Sequence, residues 1–258
     1  MNSEFSNELD FALSLCDEID KYTLESFESR EFDVMTKADL SPVTQIDQET
    51  ERRIRVAIKS SYPEDSIEGE EHGIEAKENS RNWVIDPIDG TKNFLRGVPI
   101  WGTLIALCVD DNPVMGVVSA PSLHRRWWAS KGSGAFANGK KINVSQIDEL
   151  EKAEASFGNL NHFEPAGFPD GIANLNKAIA RARGVGDFWS HMLVAEGALE
   201  CGLDAVVEPY DIAPLKIIVE EAGGVFTSLN GKDSIRDGSA ISSNGILHEQ
   251  LKQLFAKK

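Results

Sequence analysis

Apolar residues recur at three- and four-residue steps from Glu4 to about Ser29, at Phe5, Leu9, Ala12, Leu13, Cys16, Ile19, Leu24 and Phe27. That spacing predicts an amphipathic helix with a charged outer face. A second helix is predicted over Gln45 to Ser60, burying Ile46, Ile54, Ala57 and Ile58, and Thr44-Gln45-Ile46-Asp47 at its start has the spacing of a capping box. The pattern then shortens. Trp83 to Asp86 reads as a short buried strand, and Gly102 to Val109 as an apolar strand that Asp110-Asp111-Asn112-Pro113 turns into Val114 to Ala120. Strands follow at Arg125 to Ser130 and Ala135 to Val144, the last with a turn at Asn138-Gly139. Strands linked this closely pair antiparallel.

After about Leu150 the elements alternate. Strand Ala155 to Phe157, a helix near Ile172 to Ala180, strand Arg183 to Val185, helix Asp187 to Glu200, strand Ala205 to Glu208 and helix Ile212 to Glu221 come in turn. Strands Gly224 to Ser228 and Ala240 to Ser243 and a helix from Gly245 close the chain. The class is therefore α/β, with an N-terminal α+β domain over 1–150 and a C-terminal α/β domain over 151–258. No internal repeat or low-complexity tract interrupts it.

Composition narrows the function. The 258 residues carry 26 Lys+Arg against 42 Asp+Glu, a net charge of −16, which argues against a nucleic-acid partner. No uncharged apolar run approaches the ~20 residues of a membrane span, and the first residues lack a secretory pattern. Three scattered cysteines, Cys16, Cys108 and Cys201, make neither a disulfide framework nor a zinc site. The expectation is a cytoplasmic protein without membrane or nucleic-acid partners.

The densest chemistry lies in Trp83-Val84-Ile85-Asp86-Pro87-Ile88-Asp89-Gly90-Thr91. Two carboxylates three residues apart leave the end of a buried strand, where Pro87 blocks further pairing and Gly90 permits a tight backbone path. A helical turn starting at Gly90-Thr91 offers unpaired amides to an anion beside those carboxylates, a combination that suits phosphate esters and a divalent cation. Glu68-Gly69-Glu70-Glu71 lies upstream in a polar loop, Asp47 in the capping segment, and Asp211 at the head of a predicted helix, where it reads equally as an N-cap.

Gly69-Glu70-Glu71, then Asp86-Pro87-Ile88-Asp89-Gly90-Thr91, then Tyr210-Asp211 before an apolar helix ending Glu220-Glu221-Ala222-Gly223-Gly224, resemble the inositol monophosphatase superfamily from about Thr36 to Asn244. Tyr210 stands where the family often has Trp. The resemblance implies a layered αβαβα sandwich, a homodimer, and a lithium-sensitive phosphomonoesterase using two or three Mg2+ per active site on a small phosphorylated substrate. It implies that Glu70, Asp86, Asp89 and Asp211 bind metal through side chains and Ile88 through its carbonyl. It pairs Asp47 with Thr91, has Glu70 and Thr91 orient the attacking water, gives the phosphate to Gly90 and Thr91, and places Lys37 near a loosely held metal. Magnesium's demand for hard oxygen ligands agrees with this set.

Asn93 to Trp101, Val117 to Pro121 with Arg125-Arg126-Trp127-Trp128, and Gly186-Asp187-Phe188-Trp189 with Val194 to Gly197 resemble the histidinol-phosphatase branch more than the inositol branch. Histidinol phosphate carries an ammonium and an imidazole, and such a substrate needs acidic partners. Asp187, after a strand-end glycine, is the candidate, with a helix cap as its alternative; Glu208, near Asp211, is a second candidate. Trp127 and Trp128 face opposite sides of a strand, and Arg125 and Arg126 read as surface or interface residues. No histidine shows ligand spacing, but His191, one turn beyond Asp187, is placed to line a pocket. Inositol monophosphatase or broader phosphatase activity and a non-catalytic metal-binding homologue are the alternatives; the intact acidic set argues against the last.

Overall fold

In the computed structural model, which describes residues 4–31, 34–36 and 42–256, the first apolar stripe forms α1 (Ser6–Ser29), burying Ala12, Leu15, Cys16 and Ile19. It ends where Arg30 turns left-handed, at φ 58°. β1 (Val34–Thr36) and β2 (Pro42–Thr44) pair antiparallel and lead into α2 (Gln45–Ser61). The predicted capping box is present: Thr44 Oγ accepts from the amides of Ile46 and Asp47, and Asp47 accepts from the Thr44 amide.

β3 (Ser66–Gly69), β4 (Gly73–Glu75), β5 (Arg81–Asp89), α3 (Thr91–Arg96), β6 (Gly102–Val109), β7 (Asn112–Ala120), β8 (Arg125–Ser130), β9 (Ala135–Ala137) and β10 (Lys140–Ile142) follow. The strands form an eight-stranded sheet in the order β10-β9-β8-β7-β6-β5-β3-β4, antiparallel except where β3 runs beside β5. The remaining chain forms β11 (Glu154–Phe157), α4 (Gly171–Ala178), β12 (Arg181–Arg183), α5 (Asp187–Ala195), β13 (Cys201–Asp204), α6 (Pro209–Glu221), β14 (Val225–Thr227), β15 (Ala240–Ser243) and α7 (His248–Gln253). Its five-stranded sheet, β12-β11-β13-β15-β14, is parallel over β12-β11-β13 and antiparallel at β15 and β14.

These elements stack as the expected αβαβα sandwich. α1 and α2 cover one face of the large sheet, α5 and α6 fill the space between the sheets, and α4 and α7 cover the outer face of the small one. Side chains of β5 alternate between layers: Trp83 and Ile85 pack toward α1 and α2, and Val84 packs between the sheets. Burial on both faces explains the unbroken apolar runs of β6 and β7. Among the described residues no helix is long and apolar enough to cross a membrane.

Several boundaries differ from the sequence reading. Ser66–Gly69 is a buried strand and not a polar loop, because Glu68 is paired with Asn82 and with Arg236 from the other end of the chain. β5 continues through Pro87 to Asp89, the register shifting between Asp86 and Asp89. The strand expected at Ala205 to Glu208 lies four residues earlier, at β13, where Gly202 leaves room for His191 and Ser242; Val206 is exposed. β12 also lies earlier than expected, α5 stops at Ala195, and α6 begins at Pro209, which leaves Pro214 inside the helix and not in its first turn. Arg126 binds Asp17 of α1 (2.7 Å) and Asp20, and Arg125 binds Glu196, so both tie elements of this chain together. Trp127 is fully buried between the sheets, whereas Trp128 stacks on Phe136.

α6 lies unusually close to the large sheet at one point. A Cβ on Gly116 would fall 2.8 Å from Pro214 Cα and 2.9 Å from its carbonyl oxygen, which are backbone atoms unable to yield. Gly116→Ala is therefore expected to cost about 1–3 kcal/mol by overpacking, read as a lower melting temperature. An unchanged melting temperature would show that the helix can retreat freely.

Candidate active site

The irregular end of β5 builds the centre. Asp86 is 2 % exposed, and its Oδ1 accepts from the Ile88 amide (3.0 Å), folding the backbone around Pro87. Gly90 follows with φ 81°; a Cβ there would lie 2.8 Å from the Ile100 carbonyl, so glycine is required on both counts. α3 starts at Thr91, which leaves the first amides of that turn without helical partners, as the sequence anticipated.

Asp211 arrives from the opposite side, on the first turn of α6. Glu208, not Asp211, occupies the cap position, and the Glu208 amide donates to Asp211 Oδ2 (2.7 Å), fixing that carboxylate. Asp89 Oδ2 accepts from the Phe188 amide (2.8 Å) at the start of α5. Asp86, Asp89 and Asp211 thereby each place a carboxylate oxygen within 4.8 Å of the others. Glu70, in the turn after β3, has its amide on the Ile85 carbonyl (3.2 Å), next to Asp86, and its charge acts on the Asp86 carboxyl.

This crowding has an electrostatic signature. Burial, then the charges of Glu70, Asp89 and Asp211, hold the Asp86 carboxyl well above the usual range. Burial with Asp187 and Asp211 does the same to Asp89. Asp211 is pushed up to about 7, by burial first and against the pull of the Glu208 amide. Three converging carboxylates, with neither thiolate nor imidazole among them, offer the hard oxygen set that Mg2+ takes. The residues present therefore fit a hard divalent cation.

The capping residue Asp47 serves a second contact. Its Oδ2 is held by Thr44, and its Oδ1 lies 3.2 Å from Thr91 Oγ, which is also 3.0 Å from the Ile88 carbonyl. The one hydroxyl proton of Thr91 thus chooses between the two. The cap alternative and the expected Thr91 pairing are both realised in Asp47. Lys37 lies outside the described residues.

Beside the carboxylates opens a cleft of about 230 Å³ lined by Asp89, Lys92, Asp187, His191, Asp204 and Asp211, among others. Asp187 is the first residue of α5 and not its cap; its φ is 50°, a conformation few residues other than Gly, Asn and Asp adopt. Asn93 Nδ2 donates to its Oδ2 (2.7 Å). Burial and the neighbouring Asp204 push the Asp187 carboxyl up to about 6, and Lys92 opposes them. Glu208, by contrast, is exposed and does not line the cleft.

Asp204 takes the place expected of Glu208. It ends β13, and His191, buried on α5, lies 3.0 Å from Asp204 Oδ2 through Nε2 and 2.8 Å from Ser242 Oγ through Nδ1. Sequence reasoning missed Asp204 because the strand that presents it was placed four residues late; the α-helical spacing from Asp187 had already pointed to His191. Asn159 and His162 also line the cleft, and no local pattern marks them.

Comparison with known proteins agrees with this geometry. Residues 6–258 match the model of the inositol monophosphatase family. The chain is 42 % identical to a histidinol-phosphatase of Mycobacterium tuberculosis, over 95 % of this chain and 96 % of that one. It is 41 % identical to a histidinol-phosphatase of Streptomyces coelicolor, over 96 % of each. The solved structure of a Thermotoga maritima IMPase superposes with a TM-score of 0.87 at 32 % identity, covering 96 % of both chains. The chain belongs to the inositol monophosphatase family.

Proposed function

We propose that this protein is a Mg2+-dependent phosphomonoesterase of the cytoplasm, acting as a homodimer, and that its preferred substrate is histidinol phosphate. Asp86, Asp89, Asp211, Glu70 and the Ile88 carbonyl are the ligands for two or three Mg2+. When bound, the cations neutralise phosphate charge and make a water acidic enough to attack. Glu70 and Thr91 orient that water, and Asp47 fixes the Thr91 hydroxyl. The amides at Gly90 and Thr91 hold phosphate oxygens. The buried, unpaired cysteines Cys16, Cys108 and Cys201 suit a reducing compartment.

The observation that carries the substrate assignment is the pair Asp187 and Asp204 in the cleft beside the carboxylate cluster. A polyol hydroxyl can donate to either carboxylate, but only an ammonium or imidazolium adds opposite charge to that contact. The likeness to the Thermotoga IMPase favours a second reading, hydrolysis of inositol phosphates.

Phosphate release from histidinol phosphate, inositol 1-phosphate, fructose 1,6-bisphosphate and 3′-phosphoadenosine 5′-phosphate, run side by side, separates these readings, with histidinol phosphate expected first. Asp187→Asn sharpens the comparison, because asparagine tolerates the positive φ and still accepts from Asn93. A lost charge-assisted contact is worth about 1.5–3 kcal/mol, so kcat/KM for histidinol phosphate should fall about ten- to hundredfold. Inositol 1-phosphate should lose far less. Equal losses on both substrates would remove Asp187 from substrate recognition.

A further inference from the structure

α2 buries two charged residues that the site chemistry does not use: Glu51 is 0 % exposed and Arg55 7 %. Such groups persist only with partners in good geometry; besides their mutual pair, theirs are Glu71, His72 and Gly73, directly after Glu70. Glu51 Oε2 accepts from the Glu71 amide (2.6 Å), and Oε1 accepts from the His72 amide (3.2 Å) and from Arg55 Nε (2.6 Å). Arg55 in turn donates to the Gly73 carbonyl, and His72 Nε2 lies 3.1 Å from the Gln48 carbonyl. On the other side of Glu70, a Cβ on Gly69 would stand 2.1 Å from Glu51 Oε1, so the carboxylate presses directly on the end of β3. The Glu70 amide itself donates to the Ile85 carbonyl (3.2 Å).

We propose that Glu51 is a positioning residue for Glu70: its buried carboxylate fastens residues 69, 71 and 72 to α2 and so fixes the turn that presents Glu70 beside the Asp86 end of β5. The inference rests on the reading that Glu70 and Asp86 share a cation. The same helix carries Asp47 at its first turn, in reach of Thr91, so one rigid element sets both Glu70 and the Thr91 hydroxyl. Groups that orient a ligand from behind typically govern metal affinity by about 10–100-fold when altered.

The test is calorimetric titration of metal-stripped protein with Mg2+, without substrate, beside the Mg2+ dependence of phosphate release. Glu51→Gln keeps the shape and removes the charge. It is expected to weaken Mg2+ binding about 10–100-fold and to raise the activating Mg2+ concentration in step, with kcat recovered at saturation. Glu49→Gln, which breaks the exposed pairs to Arg52 and Arg53 on the same helix, should leave the Mg2+ Kd unchanged. Gly69→Ala, which displaces the carboxylate without changing it, should weaken binding as Glu51→Gln does, and it decides the matter if Glu51→Gln does not fold. A variant that melts earlier but binds Mg2+ like the unaltered protein would overturn the positioning role alone. An unaltered protein that takes up no Mg2+ would overturn the shared-cation reading beneath it.

Discussion

Asp89→Asn is expected to lower kcat/KM at least about 10³-fold, equivalent to about 4 kcal/mol of transition-state stabilisation, while the fold survives. The asparagine carbonyl still accepts from the Phe188 amide, so the anchor of α5 on the β5 end is kept. The negative charge beside Asp187 and Asp211 is lost. In the bound state that charge neutralises the cation; without cation it only repels. Metal-free Asp89→Asn should consequently melt above the metal-free parent, and by more as pH rises, because the parent's carboxyl, held above the ordinary range, must then give up its proton among like charges. Near-normal turnover at saturating Mg2+ would show that Asp89 is not a required ligand.

What the sequence disclosed, and what it hid, divides along physical lines. β6, β8 and β15 lie where the hydrophobic pattern put them, because each is bounded by turn residues or a change of period that can be read locally. Asp86, Asp89 and Asp211 were legible for a similar reason: the motifs that carry them are contiguous. β3 was hidden because its charged Glu68 is compensated by Arg236, a residue 168 positions away. β13 was hidden because Val206 and Val207 have the stronger strand propensity, while the ladder takes the stretch whose glycine admits His191 and Ser242.

Errors in elements became errors in the site. Nearness to Asp211 in sequence made Glu208 a candidate for the cleft; the register that forms puts Asp204 there and leaves Glu208 to cap α6. Asp187 illustrates the complementary case. Its position after a glycine suggested a ligand or a cap, but the positive φ that turns its carboxylate toward Asn93 is a property of the packed chain and not of the local sequence. Glu51 is hidden more deeply still, since a Glu four residues before an Arg on a helix ordinarily reads as a surface pair.

Removing divalent cations is expected to abolish phosphate release, and Mg2+ is expected to restore it; lithium should inhibit the restored enzyme. The same titration should reverse the response of stability to pH. Asp211, raised to about 7, and Asp86 and Asp89, raised further than ordinary carboxylates, bind more protons folded than unfolded, where Asp titrates near about 3.9. Stability contributed by those protons is complete below the unfolded value and is lost as pH rises through the folded ones. The melting temperature of the metal-free protein should therefore fall from about pH 5 to about pH 8. Cations replace protons on the same oxygens, so the rise in melting temperature that Mg2+ produces should grow over that window. At a hundred times the Kd the stabilisation is about 2.7 kcal/mol, or about 5–10 °C for a domain of this size. Differential scanning calorimetry at pH 5 and pH 8, with chelator and with Mg2+, measures all four states. Undiminished turnover in chelator would remove the cation from the reaction. An equal Mg2+ increment at both pH values would mean that the cation binds away from Asp86, Asp89 and Asp211.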